Sequence, residues 1–245
     1  MVTVITVATV AITGCCLWVR RRAWGHRFEL GGSIVAASMF LCVLLMGPAL
    51  SLAVSTPIHA VTGLWNLEDL LGHLVYLAGL TALFHTLVYR ITLDEPERFL
   101  RRHLEIPMAI MLPLLVGLFI VGTLKEHYPD LFQAPVTGWM SLYWAALCAA
   151  AGYLLVNLLR LLRVVRRDPR STVTANIYIT AISIDSGCCA SILVSRVIPG
   201  YPSIITWVLL CVAACGYAAA PGYSWYRKTR WVVDPVDPVG LPVTD

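Results

Sequence analysis

The chain has 245 residues, 58% of them hydrophobic and only 13% charged, with a formal net charge of +4. Soluble domains carry about 25% charged residues. A chain this apolar cannot cover a water-exposed surface, which excludes an ordinary soluble globular protein and points to lipid as the solvent. A spanning helix needs about 20 mainly apolar residues. Seven stretches qualify, at 2–19, 30–50, 67–89, 106–123, 138–159, 173–194 and 204–220. The expected fold class is therefore an all-α integral membrane protein, a seven-transmembrane-helix bundle over 1–222 with an interfacial and disordered tail at 223–245.

Charge sets the expected orientation. All but two of the 18 Lys and Arg residues fall on one side of this arrangement, in the loops after spans one, three and five and in the tail; Lys125 and Arg196 are the exceptions. The positive-inside rule then puts the N-terminus outside and the C-terminus in the cytoplasm. Because the basic residues sit at span ends, they read as contacts to anionic headgroups and not as a nucleic-acid surface. The residues assigned to headgroups are Arg20, Arg21, Arg22, Arg101, Arg102, Arg160, Arg163, Arg166, Arg167, Arg227, Lys228 and Arg230. The expected location is the plasma (inner) membrane. The first span has arginines after it and no positive region before it, the reverse of a secretory signal, so it reads as a retained anchor.

Span one ends in Trp18 and Val19 ahead of Arg20-Arg21-Arg22, an interfacial pairing of indole and guanidinium. Span two carries Gly32 with Ala36 and Ser33 with Ala37, small pairs that permit close helix approach, and Pro48 should end or kink it. The uncharged stretch 51–65 reads as a partly ordered cap. Span three opens with Asn66 as N-cap and with Glu68 and Asp69 in its first turn, where the helix dipole favours anions. His73 should lie about 9 Å deeper along that helix.

Pro96, among acids, suits the first turn of a short amphipathic helix on the membrane surface. Span four contains Pro107 near its start and Pro113 inside, where a kink is expected. Span five has small residues at Ser141, Ala145 and Ala149 and should continue helically into its arginine-rich end. Span six holds Asp185, the only formal charge deep in any span, about 18 Å from the helix start. Such a residue costs roughly 2.5–3.5 kcal/mol to insert and normally faces the bundle interior. Span seven is rich in Ala, Cys and Gly. The eight cysteines all fall inside spans and read as packing residues. No internal repeat is evident.

Asn66, Asp69, His73 and Tyr76 fall on one face of span three, at steps of three, four and three. Asp69 can reach His73 one turn below it, and Asp185 should lie near the depth of Tyr76. A polar network Asn66–Asp69–His73–Tyr76–Asp185 is therefore expected, either as a proton or ion path or as structural glue between helices. Catalytic zinc needs three protein ligands and an open position. His73 and Asp185 supply two at most, His85 lies about 18 Å further along the helix, and no HxxxH or HExxH pair occurs. No G-x-S-x-G, P-loop or dinucleotide fingerprint is present. The expectation is a non-enzyme with no metal and no cofactor.

The segment Asn66-Leu67-Glu68-Asp69-Leu70-Leu71-Gly72-His73-Leu74 resembles the helix-opening N-L-x-D-L-x-G-H signature of multi-pass membrane proteins from actinobacteria and their phages. Those proteins are commonly labelled transporters or membrane proteins of unknown function. The resemblance extends to the span pattern and the basic loops. Many such proteins carry a cytoplasmic region after the last span that this chain lacks, so a function residing there is not expected here. Two function classes follow: a non-enzymatic sensor, partner-binding or phage exclusion/immunity-type module, and a small transporter or proton/ion-conducting protein using His73 and Asp185. The bilayer is the expected partner; a membrane-protein partner and a homo-oligomer are both compatible with the small-residue stripes.

Overall fold

The computed structural model describes residues 1–26, 29–91, 95–122, 126–135 and 138–233, with side chains to residue 229. Among them there is no strand. Nine α-helices are seen: α1 Val2–Val19, α2 Leu30–Met46, α3 Pro48–Thr62, α4 Leu67–Arg90, α5 Pro96–Leu100, α6 Ile106–Val121, α7 Gly138–Val165, α8 Thr172–Val197 and α9 Ser203–Val233. Helices α5 and α6 join through a π-helical turn at Arg101–Glu105 into one 26-residue helix. Six helices are long and apolar enough to cross a bilayer, or seven if α2 and α3 count as one broken span. The outer surface is apolar: Val4, Ile12, Ile110, Leu142, Val156 and Val212 are all exposed. Water does not tolerate so continuous an apolar surface, whereas lipid does. The chain is a multi-pass membrane protein.

Three boundaries differ from the sequence reading. Span two ends at Met46, not at 50, and the stretch read as a partly ordered cap is largely a helix, α3, bent 78° away from α2. Pro48 is the reason: it lacks the N–H that would continue α2, yet its fixed φ suits the first turn of a new helix. Gly63 ends α3 in the left-handed conformation, φ 73°. Next, Pro96 does begin a helix, but that helix is not separate: it runs on into α6. Pro107 cannot donate to the carbonyl of His103, and the chain accommodates it with the π turn, while the Tyr153 hydroxyl donates to that carbonyl at 3.0 Å. Helix α6 runs on through Pro113. Finally, α9 passes residue 222 and continues helically to Val233, so the interfacial stretch belongs to that helix. The expected disorder of 234–245, the last residue of span four and Lys125 lie outside the described residues.

The helices close into a ring. α1 packs on α2 and α9, α2 on α4, α4 on α7, α7 on α8 and α8 on α9, while α6 lies against α7. Two seams are held by backbone proximity. A Cβ on Gly79 of α4 would fall 2.8 Å from Ser38 of α2, and one on Gly216 of α9 would fall 2.8 Å from Ala181 of α8. Such small residues let backbones approach where lipid offers no hydrophobic drive. Helix α1 turns Thr6, Thr9 and Thr13 inward; each hydroxyl returns to a carbonyl of its own helix, leaving no unsatisfied donor.

The two ends of the ring are built differently. At one end meet the ends of α1, α4, α7 and α9 and the starts of α2, α6 and α8, and with them the arginine clusters. At the other end α3 and the segment 126–135 form a cap. There Asn66 meets the Tyr128 backbone, Gln133 donates to Ser203 and Arg196 donates to the carbonyl of Phe132.

Candidate functional site: a carboxylate held between two tyrosines

Inside the ring, Asp185 of α8 is 6% exposed. Its Oδ2 accepts from the Tyr76 hydroxyl of α4 at 2.7 Å and from the Tyr217 hydroxyl of α9 at 2.9 Å. Three helices thus converge on one oxygen. A hydrogen bond to an ionised group contributes about 1.5–3 kcal/mol. Two of them are comparable to the roughly 2.5–3.5 kcal/mol it costs to insert an aspartate at mid-bilayer. The arrangement can hold either a carboxylate or, with one hydroxyl turned to accept, a carboxylic acid.

Beside this carboxylate lies an internal cavity of about 50 Å³. It is lined by His73, Tyr76, Asp185 and Tyr217 together with apolar and sulfur side chains such as Met39 and Cys188. A water needs about 10–15 Å³ of such space, so the cavity has room for one, although its lining is mostly apolar. His73 is buried at 4% exposure. Its Nδ1 shares a 2.7 Å hydrogen bond with the Tyr143 hydroxyl of α7, and its ring meets the edge of Trp144 at 5.1 Å.

The continuous chain Asp69–His73–Tyr76–Asp185 is not what the side chains form. It divides into three. Asp69 accepts from Asn66 at 2.9 Å, His73 pairs with Tyr143, and Tyr76 pairs with Asp185. No Asp69–His73 hydrogen bond exists among the described residues. The reason is competition: Asp69 is met by Asn66 at the head of its own helix, His73 by Tyr143 of α7, and the Tyr76 hydroxyl finds its acceptor in Asp185 of α8. Asn66 is the helix N-cap by position, yet with φ 58° its side chain does not cap. Its amide clasps the Tyr128 backbone from both sides, at 2.6 and 3.0 Å. Glu68 is fully buried and accepts from Ser51 of α3 at 3.0 Å, and Ser51 in turn meets His127 at 2.9 Å. The opening motif of α4 therefore fastens the cap, and only its continuation, His73 and Tyr76, reaches the cavity.

Tyr143 and Tyr217 escaped the sequence reading. One signal could have found them, since a tyrosine hydroxyl in mid-span has to meet an acceptor. Along α8 and α9 further polar groups extend the line. Tyr178 lies 6.4 Å from the Tyr217 ring, and on the other side of Asp185 the Ser191 hydroxyl meets Thr206 at 2.7 Å and Tyr201 at 3.0 Å. Among the described residues no three His, Cys, Asp or Glu side chains are grouped to hold a metal ion.

The headgroup assignments divide as well. Arg21, Arg22, Arg101, Arg102, Arg160, Arg163, Arg166 and Arg167 are exposed, and Arg21 lies 4.4 Å over the Trp18 ring. Arg20 is not a headgroup contact: it is fully buried. It donates to Ser33, to the backbone carbonyls of Glu29 and Pro221, and to the Glu29 carboxylate at 3.3 Å. Helix α1 ends at Val19, and the next side chain turns inward because the α9 carbonyl at Pro221 and the start of α2 offer acceptors that lipid tails cannot. Lys228 is half exposed, yet its ammonium pairs with Glu29. Arg227 is half-buried, and the Arg230 side chain lies outside the described residues. Burial would raise the Glu29 carboxyl, but the hydrogen bond and charge of Lys228, with the charge of Arg20, outweigh it and hold the group below its ordinary value. No protein-family model, curated protein or solved structure matches this chain.

Proposed function

We propose that this is a small proton-coupled membrane protein, a transporter or proton conductor, in which Asp185 takes up and releases the proton. The observation that carries this reading is the Asp185 carboxylate, shared by Tyr76 and Tyr217 and facing a cavity of about 50 Å³ at the middle of a membrane helix. Ionisable groups at that depth mark ion and proton routes. Further hydroxyl groups flank it, Tyr178 and Ser191 on α8 and Thr206 on α9, with Tyr201 in the turn between the two helices, and they give a proton polar stations on either side of Asp185. The cavity is small, which favours protons over hydrated ions, and His73 of α4 also lines it.

The proposed orientation has the N-terminus outside, the C-terminus in the cytoplasm and seven crossings, with α2 and the bent α3 together making the second. The gathering of arginines at one end of the ring supports it. The plasma membrane is the proposed location.

The test is proton flux into liposomes holding the purified chain, driven by a potassium diffusion potential and read by an internal pH dye. Asp185→Asn keeps the size and the acceptor but removes the titrating group; flux should fall about tenfold or more, the scale on which a positioned acid–base group acts. Tyr217→Phe should weaken flux with the fold retained. Equal flux from wild type, Asp185→Asn and empty liposomes sinks the proposal. That outcome favours the other class, a sensor, partner-binding or exclusion module, in which the Tyr–Asp–Tyr cluster only binds helices together.

A further inference from the structure

At the arginine-bearing end the ring does not close. A vestibule of about 1920 Å³ opens between α2, α4, the start of the α6 helix, α7, α8 and α9. Its lining changes character with depth. At the mouth stand Arg90 at the end of α4, Arg170 just before α8 and Arg227 on α9. Further from the mouth along the helices the lining is more apolar, with Ile34 of α2, Ala78 and Ala82 of α4, Leu104 and Val164, interrupted by Thr81 and His85 of α4. Ala78 lies twelve residues from Arg90, about 18 Å along the helix.

Among the described residues, the carboxylates that line the mouth with these arginines are Glu29 and Asp168. Glu29 is already engaged by Arg20 and Lys228. Asp168 accepts from the Arg170 backbone N–H and the Ser171 hydroxyl. Among the described residues, Arg90, Arg170 and Arg227 form no side-chain ion pair within 4.0 Å. Three guanidinium groups from three separate elements thus border one opening. The guanidinium fork matches phosphate oxygens two at a time. A basic rim above an apolar shaft calls for a ligand with a phosphate group at one end and a hydrocarbon chain at the other.

We propose that the vestibule binds one anionic phospholipid-like amphiphile, its phosphate on Arg90, Arg170 and Arg227 and its chain along Ile34, Ala78 and Ala82. This site is separate from Asp185 and does not depend on the proton reading. It also differs from surface lipid contact, because exposed arginines such as Arg163, Arg166 and Arg167 do not line it.

The test is a binding titration of the full chain in uncharged detergent, read by native mass spectrometry. The probes are dioctanoyl phosphatidylglycerol, dioctanoyl phosphatidylcholine and inorganic phosphate. One equivalent of the anionic lipid should bind saturably. Replacing Arg90, Arg170 and Arg227 together by Gln should weaken it by about tenfold or more, as expected for lost charge-assisted hydrogen bonds. Replacing Arg163, Arg166 and Arg167 by Gln makes the same charge change and should leave affinity within about twofold, since those side chains do not line the vestibule. Ala78→Trp keeps every charge, fills the shaft and should also weaken binding. The proposal is overturned if the two arginine triples weaken binding equally, or if Ala78→Trp has no effect. Phosphatidylcholine or inorganic phosphate binding as tightly as the anionic lipid overturns it too, the former removing the charge requirement and the latter the chain.

Discussion

Replacing Arg20 by Met separates a buried structural arginine from an interfacial one. Methionine keeps most of the aliphatic length but withdraws every donor from Ser33, from the carbonyls of Glu29 and Pro221, and from the Glu29 carboxylate. Removing one partner of a buried ion pair costs about 3–5 kcal/mol. Lys228 remains on Glu29, so the lower end of that range, about 3 kcal/mol, is expected. For a chain of this size each kcal/mol shifts the midpoint by about 2–4 °C, which gives a fall of roughly 6–12 °C. The assay is tryptophan fluorescence on heating in maltoside micelles at one fixed scan rate, because unfolding of such proteins is commonly irreversible. Arg21→Met is the internal comparison. It loses an exposed cation–π contact of about 0.5–1 kcal/mol and should move by only about 1–4 °C. Arg20→Lys should recover a minor part of the loss, since one ammonium cannot span acceptors on α2 and α9 at once. If Arg20→Met melts together with Arg21→Met, Arg20 is a headgroup contact after all and the buried cluster is wrong.

The same cluster predicts a pH dependence. The folded Glu29 carboxyl lies below its ordinary value. Its contribution is therefore fully present above the unfolded value of about 4.3 and is lost as pH falls through the folded value. Melting temperature should drop on acidification below about pH 4, and Glu29→Gln should flatten that part of the profile; an unchanged profile refutes the linkage. For orientation, a reporter active only in the cytoplasm and inserted between Arg167 and Asp168 should give signal, and one inserted between Val61 and Thr62 should not. Signals the other way round overturn the proposed topology.

Much of the architecture was legible without coordinates. Runs of about 20 apolar residues need no partner to be recognised, because the bilayer thickness alone sets their length. The Pro48 break could be anticipated from the missing N–H, although not that a 15-residue helix would follow it. Tyr76 and Asp185 could be matched in depth by counting helix rise. Which partners a polar group chooses could not be counted that way. His73 has Asp69 one turn away on its own helix, yet it pairs with Tyr143, which is 70 residues distant.

Sequence by itself determined that the chain lives in lipid and crosses it several times, and it singled out Asp185 as the charge needing a partner inside. These follow from composition, length and local spacing, which are properties of one segment at a time. Tertiary structure decided that Tyr217 completes the Asp185 site, that Arg20 turns inward while Arg21 and Arg22 stay exposed, and that a vestibule opens beneath the arginines. Those outcomes depend on how six packed helices are rotated about their axes. Rotation is set by contacts such as Gly79 against Ser38 and Gly216 against Ala181, between residues far apart in the chain.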